Sequence, residues 1–181
     1  MLEELQSALT TYNQKWHTLV AARSNKAFFE SLKPTAAGWK VADRAEYDRR
    51  YAELHDQSDQ IVETWMNGRW VAKFHLRDRE LEGGIQIIKL MQRRPGSTDK
   101  PGLDHVDFYG PDRQAMETTL RSEPDLQWSQ ESNAVIAGYS WLSVWFAGIE
   151  AKLKANTVLD IVQRELADLN KRIIGSTSTN E

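Results

Sequence analysis

The sequence predicts an α+β fold of two βαβββ units in tandem, with amphipathic helices at both ends. Three observations carry that expectation. Apolar residues in the first and last segments recur at alternating spacings of three and four, the seam of an amphipathic helix. Between them lie short runs of period-two alternation, separated by Gly, Pro and Asn-Gly punctuation, as strands would be. The order strand, helix, strand, strand, strand also reads twice along the chain.

Composition bounds the possibilities. The 181 residues are 40% hydrophobic and 27% charged, a mixture that can bury one core of ordinary domain size. The formal charge of −3 and the lack of any Lys/Arg block beyond pairs such as Arg49-Arg50 and Arg93-Arg94 argue against a nucleic-acid surface. There is no cysteine, which excludes disulfides, thiolate nucleophiles and Cys-ligated zinc. The N-terminus is acidic and amphipathic, unlike a signal peptide, and no apolar run approaches the length of a membrane span. A cytoplasmic protein without membrane or nucleic-acid partners is expected.

In chain order, Leu2, Leu5, Leu9, Tyr12, Trp16 and Leu19 mark a helix over residues 2–23, and a shorter one runs through Phe28 and Leu32 to stop before Pro34. Residues 1–33 form a helical extension to a repeat domain over 34–181. Its first unit, 35–91, opens with a strand at 35–42. Asp43, with Glu46 three residues on, is a helix cap for residues 45–57. Strands follow at 60–66 and 70–77, joined by Asn67-Gly68, the strongest short-range hairpin signal. Gly83-Gly84 leads into an apolar strand at 85–91.

The second unit, 101–148, repeats the order. A strand at 103–109 lies between Pro101-Gly102 and Gly110-Pro111, and Asp112-Arg113 opens a helix as Asp43-Arg44 does. Short strands are expected at 126–129 and 135–137, and a final one, rich in aromatic and β-branched residues, at 139–147. A helix over 149–174 closes the chain, with Leu159, Val162, Leu166, Leu169 and Ile173 on its seam. Thr157 and Asp160 would form a capping box if that helix restarts there, and the tail from Gly175 is polar. The two terminal helices can pair with each other or form a homodimer contact; intramolecular packing is favoured.

The best candidate for chemistry lies on the strand at 103–109. Alternation puts His105, Asp107 and Tyr109 on one face and Asp104, Val106 and Phe108 on the other. A half-buried strand whose histidine finds a hydrogen bond explains the pattern equally well. On the strand at 70–77, Lys73, His75 and Arg77 read as a solvated face, although a cluster of His75, His105 and Glu63 is conceivable. Seven tryptophans are many for this length, and six fall in the repeat region; Trp141, Ser143 and Trp145 share one face with Tyr139. Such residues line a small-molecule cleft or fill a core under the helices.

Tandem βαβββ units are the architecture of the vicinal oxygen chelate superfamily, which includes glyoxalase I and the extradiol dioxygenases. Asn67-Gly68-Arg69, Lys89-Leu90, Pro95-Gly96 and the run Gly102–Phe108 are similar to those of its YecM-like branch, over about residues 35–155. The resemblance implies a curved mixed sheet around a cleft. It also implies that metal-binding members place one ligand early in the first strand of each unit and one on the last strand of each. His105 matches the second unit's first-strand position. The other positions depart: Trp39 or its neighbours stand in the first strand, Gln86 and Lys89 on the strand at 85–91, and Trp145 and Phe146 on the expected last strand, with Glu150 just beyond its end. One imidazole does not hold a catalytic metal, for which three protein ligands are the usual minimum.

The expectation is therefore a small-molecule-binding protein without a conventional metal centre. It would hold an aromatic or anionic ligand with His105, Asp107, Tyr109, Trp39, Arg69, Lys89 and Trp145. No cofactor is expected, a divalent metal being the one candidate. Two alternatives stay open: a metal-dependent lyase, isomerase or dioxygenase with His105 as a ligand, and an interaction module acting through the terminal helices.

Overall fold

A computed structural model describes residues 1–66, 68–110, 112–132, 140–157, 159–160, 162–163 and 167. Helices α1 (Leu2–Ala21) and α2 (Lys26–Ser31) precede β1 (Lys33–Val41), α3 (Arg44–His55), β2 (Ser58–Met66), β3 (Arg69–Leu76) and β4 (Ile87–Gln92). The second unit comprises β5 (Gly102–Tyr109), α4 (Arg113–Arg121), β6 (Gln127–Ser132), β7 (Ser140–Phe146) and β8 (Ile149–Lys154). The eight strands form one mixed sheet in the order β2-β3-β4-β1-β5-β8-β7-β6. In each unit the first strand lies parallel to the last, β1 beside β4 and β5 beside β8. The two first strands meet antiparallel at the centre. Read from either edge the order is the same, which is the arrangement that a duplicated βαβββ unit produces.

Local chemistry sets the element ends as expected. Asp43 caps α3, its side chain accepting from the Glu46 N–H at 2.9 Å, while the Glu46 carboxylate accepts from Ala42 N–H. Asp112 caps α4 in the same way, accepting from Gln114 and Ala115. Met66 pairs with Arg69 across a two-residue hairpin in which Gly68 takes φ +75°, a conformation that costs glycine little. Asn67 itself lies outside the described residues, as do Pro111, the strand expected at 135–137, Tyr139, and Leu166, Leu169, Ile173 and the tail.

One element differs. A helix is expected from residue 149, but Ala147 and Gly148 both take positive φ, 46° and 78°, and turn the chain directly into β8. Ile149–Lys154 alternates with period two, so Ala151 and Leu153 enter the core while Glu150, Lys152 and Lys154 face the other way. Its Glu, Ala, Lys and Leu favour helix intrinsically, but pairing with both β5 and β7 overrides that preference. The helical segment starts after Thr157, where Thr157 and Asp160 cap each other: Thr157 N–H donates to Asp160 Oδ2 at 3.0 Å and Asp160 N–H to Thr157 Oγ1 at 3.1 Å.

The main core lies between the helices and one face of the sheet. α1 buries Leu5, Leu9, Tyr12, Trp16 and Val20 there, and Trp16 stacks on Phe108 at 4.4 Å. Gln6 and Asn13 fasten the same helix to Glu82. The apolar seam of α1 thus covers the sheet of its own chain, which leaves the interaction-module alternative without the surface it would use on this helix. On the opposite face, Ala36, Val62 and Ile87 form a smaller cluster with Val162, against which Leu159 packs. The start of the C-terminal helix therefore crosses the cleft face of the first unit. Among the described residues, no helix is long and apolar enough to cross a membrane.

Candidate functional site

The site is built on β5, at the seam between the two units. Alternation sends Val106 and Phe108 into the helix-covered core and leaves His105 and Asp107 on the cleft face, both essentially without solvent exposure. Opposite them on β1, Gly38 pairs with His105 but Trp39 pairs with Leu103, so Asp104 is the extra residue of a β-bulge. The bulge turns the Asp104 carboxylate toward its neighbour: Oδ2 lies 2.9 Å from His105 Nδ1, and Oδ1 lies 2.6 Å from Lys40 Nζ. Lys40 also reaches Asp99 at 2.8 Å, which extends the chain of charges to the surface. The imidazole lies against Gly38, where a Cβ would come within 2.4 Å of His105 Cε1. Only glycine fits beneath that ring.

Asp107 is the centre of a second cluster. Its carboxylate takes Lys89 Nζ of β4 at 2.5 Å and Lys154 Nζ of β8 at 2.6 Å, so one buried anion joins the last strands of both units. Burial alone would raise its pKa, but the Lys154 and Lys89 ammonium groups outweigh that and hold the carboxyl well below the usual carboxylate range. The same balance holds for Asp104, where the hydrogen bond from His105 and the Lys40 ammonium overcome burial. His105 goes the other way: burial first, then the Lys152 and Lys89 charges, push its pKa well below the ordinary value and keep the ring neutral. Burial and Lys89 likewise depress Lys152.

Beyond Asp107 the cleft face continues into the second unit. Glu150 on β8 is level with His105, accepts from the Ser143 hydroxyl at 2.5 Å and lies 3.7 Å from Lys152 Nζ. Trp141 Nε1 donates to Ser143 Oγ, and its ring lies under the Lys152 ammonium at 5.2 Å. Trp145, level with Glu150, and Tyr109, level with Lys154, are half-buried on the same side.

Of the residues singled out from sequence, His105, Asp107, Tyr109, Lys89 and Trp145 share this face. Arg69 shares it at a distance, at the start of β3, with its Nη2 donating to Met91 Sδ at 3.7 Å. Trp39 does not: it sits between Gly38 and Lys40 in phase with Ala37 and Val41 and packs in the helix-covered core. Glu63 is likewise on the helix side, accepting from Tyr47 at 2.9 Å, while His75 pairs with Asp59 at 2.6 Å, so no cluster of His75, His105 and Glu63 exists. Lys73, expected on a solvated face, is 4% exposed. Sequence reasoning missed Gly38, Lys40, Asp104, Lys152 and Lys154, and it left Glu150 off the strand that carries it. The period-two phase of 149–154 was the available signal.

The donor atoms nearest to a metal-binding arrangement belong to Asp104, His105 and Glu150, which lie within 4.8 Å of one another. They do not fit a catalytic metal. Asp104 is spent on His105 Nδ1 and Lys40, which leaves His105 Nε2 and a Glu150 carboxylate already engaged by Ser143 and Lys152, fewer donors than the three protein ligands a catalytic metal usually takes. From the first unit, the corresponding strands bring no donor: Gly38 faces His105 without a side chain and Lys89 presents an ammonium group. A divalent cation would enter beside buried cations, a Coulombic cost that two remaining carboxylates do not offset.

No family profile matches the sequence, and no curated protein matches it. Among solved structures, a structural-genomics protein designated EC4020 matches with a TM-score of 0.65 and 16% identity, over 91% of this chain and 94% of its own. That likeness is too extensive to be confined to one unit. The tandem βαβββ fold is thus shared with a solved structure. A methylmalonyl-CoA epimerase of Streptomyces coelicolor matches with a TM-score of 0.49 and 15% identity, over 68% of this chain and 96% of its own. An extradiol ring-cleaving dioxygenase from B. fuscum matches with a TM-score of 0.44 and 13% identity, over 70% and 33%. At such identities these likenesses concern the fold alone.

Proposed function

We propose that this protein binds a small anionic molecule on the cleft face of its sheet, without a metal ion. The observation that carries the reading is the substitution of the first unit's ligand positions by Gly38 and Lys89, with the Lys89 and Lys154 ammonium groups gathered on Asp107 where cationic charge would otherwise come from a metal. Lys152 extends that positive field toward the second-unit half of the cleft, the half not covered by Leu159 and Val162. Trp141 and Trp145 give this half flat apolar walls beside the polar Ser143–Glu150 pair, the usual construction of a small-molecule site. A cytoplasmic location and a place in the YecM-like branch, suggested by the run Gly102–Phe108, belong to the same reading.

Two measurements test it. Elemental analysis of protein purified without chelator is expected to show no stoichiometric zinc, nickel, manganese or iron; a stoichiometric metal would turn the reading to the metal-dependent enzyme. Titration with small aromatic and aliphatic carboxylates is expected to change tryptophan fluorescence and raise Tm. No response across such a panel would sink the proposal.

A further inference from the structure

His105 carries an unmet requirement. Asp104, an ionised carboxylate, can only accept, so the 2.9 Å contact places the proton on His105 Nδ1. In the neutral ring Nε2 is then an acceptor. It is buried and has no hydrogen-bond partner, and the Asp107 Oδ1 that lies 3.8 Å away is an acceptor as well. A buried acceptor left without a donor is costly, so such an atom calls for a partner from outside the protein.

We infer that the anion bound on the cleft face also carries a hydroxyl, which donates to His105 Nε2: the ligand class is a small hydroxycarboxylate. This rests on the anion-binding reading above and narrows it. The donor is a neutral O–H and not an ammonium group, because Asp107, the carboxylate 3.8 Å from Nε2, already holds the Lys89 and Lys154 ammonium groups and a third cation beside them would be repelled. The carboxylate belongs near Lys152. The Lys152 side chain is more exposed, at 16%, than those of Lys89 and Lys154, and its ion pair with Glu150, at 3.7 Å, is longer than those of Lys89 and Lys154 with Asp107. Asp104 acts as a positioning residue, fixing the tautomer, while Gly38 fixes the plane of the ring.

The test compares two acids that differ by one hydroxyl, mandelate and phenylacetate, by tryptophan fluorescence titration of the full chain. Mandelate should bind about tenfold more tightly, the value of one net hydrogen bond to a buried acceptor. In Lys152→Gln both acids should weaken and the ratio should stay. In His105→Leu the ratio should fall to one. Imidazole ¹⁵N spectra give a second measurement that needs no variant: the Nε2 resonance should show an unprotonated nitrogen in the free protein and shift on adding mandelate but not phenylacetate. Equal binding of the two acids, or an unmoved Nε2 resonance, would overturn the inference while leaving anion binding intact. If neither acid binds and no other carboxylate does, the anion-binding reading falls and the inference with it.

Discussion

Replacing Asp107 by Asn keeps the shape of the side chain and removes the charge that holds the site together. The wild-type carboxylate is fully buried and meets Lys89 at 2.5 Å and Lys154 at 2.6 Å. Removing one partner of a buried ion pair costs about 3–5 kcal/mol, and since two ammonium groups share this carboxylate the upper part of that range, about 4–5 kcal/mol, is expected. In a chain of this length each kcal/mol lowers Tm by roughly 2–4 °C, so the variant should melt about 8–20 °C lower. Urea denaturation followed by tryptophan fluorescence measures the difference in free energy directly. The pH dependence supplies the sharper test. Asp107 is held below its unfolded pKa, so its contribution is present above the unfolded value of about 3.9 and is lost as pH falls through the folded one. Asn does not titrate, and the gap between the two proteins should therefore narrow below about pH 4. His105, neutral in the fold, adds an acid-side loss below about pH 6.5, and because Asp107 is among the charges that raise its pKa, the comparison is made in a His105→Leu background where that contribution is absent. Adding Lys154→Met to the Asn variant should restore part of the loss, a coupling that a double-mutant cycle reads. A variant within about 1 kcal/mol of wild type at pH 7, or a gap that stays constant into acid, would refute the electrostatic account of the cluster.

Three further predictions concern the frame around it. Gly38→Ala should destabilise by about 1–3 kcal/mol in urea titrations, because the new methyl would lie 2.4 Å from His105 Cε1 and neither the strand nor the buried ring can move far; an unchanged midpoint would show that the ring is not held there. Trp16→Ala should cost about 3–5 kcal/mol through loss of its stacking on Phe108 and its contacts with Phe29 and Phe146, and a Tm within 2–3 °C of wild type, roughly what 1 kcal/mol produces, would mean that α1 is not integral to the core. Ala147→Asn should raise Tm slightly, by about 0.5–1 kcal/mol in stability, since asparagine tolerates the left-handed backbone that Ala147 adopts at φ 46° and the Lys15 bond to its carbonyl is kept; a lower Tm would contradict the turn geometry.

What could be read from the sequence were features whose causes are local. The seam of α1, the Asp43 and Asp112 caps and the Gly68 hairpin depend on residues within a few positions of one another, and each stands where periodicity and turn chemistry put it. The strand Ile149–Lys154 shows where local signals fail. Its composition favours a helix, its alternation favours a strand, and the choice is made by two neighbours, β5 and β7, that the sequence does not mark as neighbours. That one element decided where Glu150, Lys152 and Lys154 belong.

The cleft face was opaque for a related reason. Lys73, with His75 and Arg77, reads as a solvated face, because hydrophobic periodicity separates apolar positions from polar ones but cannot tell water from a buried polar cluster. Whether such a face is wet depends on register. The antiparallel pairing of β1 with β5 puts Gly38 under His105, the bulge at Asp104 swings a carboxylate from the expected face to the other, and the parallel pairing of β5 with β8 sets Glu150 beside His105 and Lys152 beside Asp107. All three pairings join residues far apart in sequence, and a shift of one residue in any of them would send His105 or its partners to the helix side. The chemistry of this site is therefore a property of the seam between the two units: each half alone would present only a charged strand, and the buried Asp107–lysine cluster exists because both halves deliver an ammonium group to one carboxylate.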